Sequence, residues 1–153
     1  MVGLKTMVDL PTTMMAWKKT KPESDGFELI EIPIPDVADD EVLIKTHSTS
    51  ICGTDIHIWK WDEWASKNVP IGTTTGHETC GIVVGLGKNV ITHKIGDKVA
   101  IECHLACWNC DRCDEGNAHI CQHGEIFGVH SNGSFAPYFT IPSINARHFP
   151  ENI

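Results

Sequence analysis

The feature that most constrains this chain is a run of four cysteines, Cys107, Cys110, Cys113 and Cys121, with two, two and seven residues between them. Two-residue gaps let successive thiolates turn toward one point, and a closing cysteine after a longer gap completes a tetrahedron. Zinc in closed, structural sites takes four such sulfurs at about 2.3 Å. Four thiolates leave no open position for water, so a metal held this way serves folding and not catalysis. Residues 103–121 show no hydrophobic periodicity, and a loop of that length inside a compact domain needs a staple. Disulfides or free thiols are the competing reading, and an iron–sulfur cluster is a more remote one. A ferredoxin-type run puts its fourth cysteine closer and follows it with proline; here Gln122 follows Cys121.

Metal binding against disulfide pairing turns on the compartment. The chain holds seven cysteines, an odd count. Its first fifteen residues lack a charged start followed by an apolar stretch, so no secretory signal is expected. A reducing, cytoplasmic setting follows, and clustered cysteines there read as metal ligands. The length, 153 residues, suits a single core. The formal net charge is −8 and no Lys/Arg cluster appears, which argues against a nucleic-acid partner. No apolar run approaches the roughly 18 residues that span a bilayer, so no membrane partner is expected.

The rest of the chain reads as mainly β. Alternating or β-branched runs predict strands over residues 27–32, 42–52, 79–84, 98–102 and 134–141. Gly85 and Gly87 read as a turn. Residues 54–64 read as one short helix capped by Thr54 or Asp55. Residues 1–13 read as a flexible lead. The sum is a partly open β-barrel with short helices and a zinc-stapled cysteine lobe.

A second constellation lies in the first half: Cys52-Gly53-Thr54-Asp55-Ile56-His57 and, further on, Gly76-His77-Glu78. On residue type alone, a Cys and a His 25 positions apart are more often core or surface than ligands. Their surroundings change that. Gly76-His77-Glu78-x2-Gly81-x5-Gly87-x2-Val90 resembles the signature of the zinc-containing medium-chain alcohol dehydrogenases. Gly96-Asp97-Lys98-Val99 and then the cysteine lobe follow in that family's order. The resemblance covers the chain from about Met15 to its end. Within the family, Ile51 to Ile58, Trp61-Asp62-Glu63-Trp64, and the close from Ile141-Pro142 to Ile153 are most similar to the L-threonine 3-dehydrogenase branch.

The resemblance implies a GroES-like N-terminal catalytic domain over residues 14–153, with the structural-zinc lobe at 103–121. It implies that Cys52, His77 and Glu78 surround a catalytic zinc, and that Asp55 hydrogen-bonds His77 and fixes its tautomer. It implies that Thr54 receives the proton of a substrate hydroxyl, that His57 passes it to solvent, and that His104 lies near the substrate. The implied reaction oxidises a secondary alcohol, or an amino alcohol, to a ketone with NAD(P) as hydride acceptor.

The Rossmann unit that would bind NAD(P) is not expected in residues 1–153. Gly85-Leu86-Gly87 is followed by Val90 where a third glycine would stand. A separate Rossmann domain or a second copy of the chain is then the expected macromolecular partner. The alternative is a truncated, non-catalytic zinc-binding module that acts as a structural or interaction protein. Two departures from the family pattern fall at the barrel edge: Thr73-Thr74-Thr75 before Gly76, and Pro137. Cys80 reads as a small buried hydrophobe and Cys103 as a non-ligand. His47, His93, His119, His123, His130 and His148 have no partner pattern.

Overall fold

The computed structural model describes residues 10–150. Its strands are β1 (Thr13–Lys19), β2 (Phe27–Pro33), β3 (Glu41–Ser50), β4 (Thr73–Thr74), β5 (Glu78–Leu86), β6 (Lys98–Ile101), β7 (His104–Leu105), β8 (Glu125–Ile126), β9 (Tyr138–Pro142) and β10 (Ala146–His148). Three short helices are interleaved: α1 (Gly53–Lys60), α2 (Glu63–Asn68) and α3 (Asp111–Asp114). No helix among the described residues is long and apolar enough to cross a membrane.

The strands form three antiparallel sheets, ordered β2-β1-β4, β10-β6-β5-β3-β9 and β7-β8. The five-stranded sheet carries the main core, Val42, Ile44, Val83, Val99, Phe127, Phe139, Ile141 and Ala146. Phe127 and Phe139 meet with ring centres 5.1 Å apart. Two irregularities in the β3–β5 ladder, at Leu43/Ile44 and Thr46/Ser48, bend β3. Gly81 sits opposite this bend, and a Cβ there would run into the Lys45 carbonyl.

Residues 133–137 link the two larger sheets. The Phe135 carbonyl accepts from Trp17 N–H and the Pro137 carbonyl from Thr46 N–H, both at 2.9 Å. Ser134 N–H donates to Gly76 O at 2.9 Å and Phe135 N–H to Thr75 O at 2.8 Å. These bonds tie the three-stranded sheet to the five-stranded one. The last expected strand therefore begins at Tyr138 and not at 134, because residues 133–137 bond to two different sheets. The three threonines before Gly76 are buried here, with Thr73 and Thr74 forming β4.

Other expectations change in detail. β1 begins at Thr13, inside the stretch read as a lead, while residues 1–9 of that lead lie outside the described ones. The strand is hard to see in sequence because large apolar residues, Met15 and Trp17, face outward while Ala16 faces in. The single helix over 54–64 is two helices. Trp61 takes φ +54°, and Asp62 starts α2 by accepting from Ala65 N–H at 2.9 Å. The cap of α1 is Cys52, not Thr54 or Asp55. Gly85 lies within β5, and the chain turns after Leu86. The cysteine loop contains short pieces of structure, β7 and α3.

Candidate metal centres

The lobe is built on β7 and β8, which pair at its base, with α3 and a 3-10 turn (Ala118–Ile120) above. All seven cysteines are free thiols. The sulfurs of Cys107, Cys110, Cys113 and Cys121 all lie within 4.8 Å of one another. Individual separations are 3.4 Å for Cys107–Cys121, 3.6 Å for Cys110–Cys113 and 3.8 Å for Cys110–Cys121. A sulfur tetrahedron around zinc has edges of about 3.8 Å if each Zn–S bond is 2.3 Å, so the set suits a structural zinc. Backbone N–H groups of Cys107 and His123 point at the Cys121 sulfur, at 3.3 and 3.4 Å. Such donors stabilise thiolate charge around a metal.

Without a cation, four thiols this close cannot all ionise. The N–H groups of Cys113 and Gln122 pull the Cys110 thiol down to about 6. At Cys107 the Asn109 amide favours the thiolate, but the neighbouring Cys121 sulfur, desolvation and the other two sulfurs outweigh it and push the thiol up to about 12.

The second centre depends on the β3–β5 register. Ser50 stands opposite Glu78, so the chain leaving β3 brings Cys52 beside His77 and Glu78 at the start of β5. One ligand atom from each of these three lies within 4.8 Å of the others. Gly76 takes φ +91°, and a Cβ there would strike the Phe135 ring. Glycine is therefore required for the chain to turn into His77.

Asp55 comes from the first turn of α1. One of its oxygens accepts from Cys52 N–H at 2.8 Å; the other faces His77 Nδ1 at 3.8 Å. Asp55 and His77 are buried, and neither Asp55 Oδ1 nor His77 Nδ1 has a hydrogen-bond partner among the described residues. A carboxylate behind Nδ1 favours the tautomer that leaves the Nε2 lone pair for a metal. Thiolate, imidazole and carboxylate in one place, beside this unfinished pair, fit a zinc ion.

The remaining candidates separate. Thr54 Oγ1 accepts from the Cys52 thiol at 3.7 Å, so it borders the centre. His57 is well exposed, pairs through Nδ1 with the Asp62 carboxylate, and meets Trp64 edge-on. His104 lines a cleft of about 540 Å³ with His77 and Glu78. Sequence reasoning missed Ser50, whose hydroxyl donates to Glu78 Oε2 at 2.6 Å and, ahead of Cys52, holds that carboxyl below its usual range. It also missed Asp62 as partner of His57, and Glu102, whose Oε1 lies 2.7 Å from His104 Nδ1. None of these has a spacing signal; only the strand register and the α1–α2 corner bring them in.

Three background residues also differ from expectation. His93 and His148 are stacked at 4.5 Å, and Cys80 is only half-buried because the same cleft reaches it.

With this geometry in view, the comparisons with known proteins decide the family. The alcohol dehydrogenase GroES-like domain matches residues 38–151. The chain belongs to that family. The GroES-like chain is 44% identical over 140 residues to an L-threonine 3-dehydrogenase of Cronobacter sakazakii, covering 92% of this chain and 41% of that protein. It is 48% identical over 134 residues to one from Protochlamydia amoebophila, covering 87% and 39%. A solved E. coli CFT073 structure, a short chain alcohol dehydrogenase (rspB) complexed with cofactor NADH, is 28% identical with TM-score 0.83. It is matched over 94% of this chain and 40% of that one. The GroES-like chain thus spans about 40% of the length of the curated relatives it matches.

Proposed function

We propose that this chain is the substrate-side part of a zinc- and NAD(P)-dependent dehydrogenase that oxidises a secondary alcohol to a ketone, with the 3-hydroxyl of L-threonine as its substrate. One observation carries the reading: Cys52, His77 and Glu78 converge from the ends of two paired strands, with buried Asp55 behind His77. The 44–48% identity to two L-threonine 3-dehydrogenases supports the substrate.

On this reading Cys52, His77 and Glu78 hold zinc, and Asp55 orients His77. Zinc in such a centre supplies Lewis acidity toward an alcohol oxygen. Thr54, beside Cys52, takes the hydroxyl proton. His57, exposed and paired with Asp62, hands it to solvent. Cys107, Cys110, Cys113 and Cys121 hold the structural zinc and keep the lobe folded. The nicotinamide cofactor is held by chain outside residues 1–153. Clustered free thiols fit a reducing, cytoplasmic setting.

Zinc counting by native mass spectrometry tests the centre. Two zinc ions per chain are expected, and Cys52→Ser should leave one. A single zinc in the unaltered chain would remove the catalytic centre from this chain and favour a purely structural module. In the full-length protein, L-threonine-dependent NADH formation should fall at least about 100-fold on Thr54→Val, the usual scale for a proton-transfer group.

A further inference from the structure

The cleft that opens on His77 and Glu78 has a second wall, made by Ile101, Glu102, Cys103 and His104. Its carboxylates are Glu78 and Glu102, and no lysine or arginine lines it. Glu102 is held in a set position. Its Oε1 accepts from His104 N–H at 2.9 Å and from the His104 ring at Nδ1, 2.7 Å away. A proton on Nδ1 leaves His104 Nε2 as an acceptor. Among the described residues no side-chain or backbone donor falls on Glu102 Oε2. Behind the wall, buried Asn145 donates from one amide nitrogen to the carbonyls of Glu102 and His104, at 2.8 and 2.9 Å. The backbone bearing both side chains is thereby fixed before any ligand arrives. The His104 backbone N–H, then its ring, then Arg147 on β10 favour the ionised carboxyl, so Glu102 titrates below the ordinary range.

A fixed, half-exposed carboxylate with a free oxygen, in a cleft that no lysine or arginine lines, can receive a positive group. We propose that Glu102 is a specificity-determining residue: its carboxylate, held by His104 and the Asn145 clamp, accepts the ammonium group of an amino alcohol. The proposal rests on the dehydrogenase reading for one point, that the ligand carries a hydroxyl near the Cys52–His77–Glu78 centre. In an amino alcohol of the threonine type the ammonium sits on the carbon next to the hydroxyl-bearing one. A ligand with its hydroxyl at His77 and Glu78 then carries its charge along the same cleft toward Glu102. A neutral alcohol would desolvate this carboxylate without pairing it.

The test uses the zinc-loaded chain itself and needs no turnover. It is titrated with 1-amino-2-propanol and with 2-butanol, in which a methyl replaces the ammonium, while NMR follows the Glu102 and His104 amides. The amino alcohol should shift these signals saturably and bind about tenfold or more tightly than 2-butanol, the scale of one charge-assisted hydrogen bond. Glu102→Gln keeps an oxygen for the His104 amide and should abolish the preference. Equal binding of the two ligands, no saturable shift with either, or an undiminished preference in Glu102→Gln would overturn the proposal. The comparison of two ligands on the unaltered chain stands even if the variant fails to fold. Failure of the dehydrogenase reading shows elsewhere: Cys52→Ser would keep its second zinc while the ammonium preference persisted.

Discussion

Burial pushes the Asp55 carboxyl above the ordinary aspartate range, against the opposing pull of the Cys52 amide and of His77. A fold that only needed a polar contact to the Cys52 amide could use a neutral side chain there. The charge has a use only toward His77. Asp55→Asn keeps the amide contact and removes the charge, so zinc affinity at the second centre should fall by about 10- to 100-fold, the usual cost of losing a ligand's supporting carboxylate. Competition with a chromophoric chelator measures it, and the four-cysteine lobe in the same molecule is the internal control. Unchanged affinity would mean that Asp55 serves α1 alone. Gly76 presents the opposite case, where any side chain is excluded. Its φ of +91° and the Phe135 ring both oppose a Cβ. Gly76→Ala should destabilise the domain by about 1–3 kcal/mol, read from its denaturation midpoint.

At the scale of elements, the corner between α1 and α2 governs where His57 points. Asp25 of the β1–β2 hairpin grips it through Trp59 of α1: Asp25 N–H donates to Trp59 O at 2.9 Å, and Trp59 Nε1 donates to an Asp25 oxygen at 3.0 Å. Lys19 is fully buried, with its ammonium 5.1 Å from the Phe27 ring centre and 4.9 Å from that of Trp61. Burial lowers its ammonium below the ordinary lysine range. Asp62 closes the corner. The Ala65 N–H, followed by His57, holds its carboxyl below the usual range. The folded chain therefore binds this proton less readily than the unfolded one. The stabilisation is complete above the ordinary aspartate value, near 4, and is lost as pH falls through the lowered one. Asp62→Asn retains the cap oxygen but not the charge. Amide exchange at Ala65 should be slower in the unaltered chain than in Asp62→Asn at pH 6, with the gap closing in acid. A gap that stays constant with pH would remove Asp62 ionisation from the account.

At the scale of the whole molecule, the two centres have different reasons to exist. The lobe buries only Cys110 among its four cysteines and leaves Trp108 and Ile120 exposed, so it lacks an apolar core of its own. Chelation should raise amide exchange across residues 106–124 while β3, β5 and β9, which carry the main core, stay protected. Loss of protection throughout would show that the metal supports the entire fold. The four-cysteine centre was legible in the sequence because its ligands are local: two-residue gaps confine the geometry within one loop, whatever surrounds it. The GroES-like class was legible because glycines recur at 76, 81 and 87 in a fixed spacing, each where a Cβ would strike a distant part of the fold: the Phe135 ring, the Lys45 carbonyl and the Asp39 carbonyl. β2, with its alternation, and β5, with its β-branched run, were readable too. β1 was not, because its outward face carries Met15 and Trp17, and the break at Trp61 was not, because a left-handed tryptophan is held by the Lys19 contact and the α2 cap. The same division runs through the second centre. Residue types and family likeness pointed to Cys52, His77, Glu78 and Asp55, but their meeting depends on pairing Ser50 with Glu78 across some 28 residues of chain. Ser50 and Glu102 became visible only there, and Asp62 only at the α1–α2 corner. Local spacing alone determined the lobe; register between distant strands, set by burial of one sheet face, decided which polar groups share the cleft.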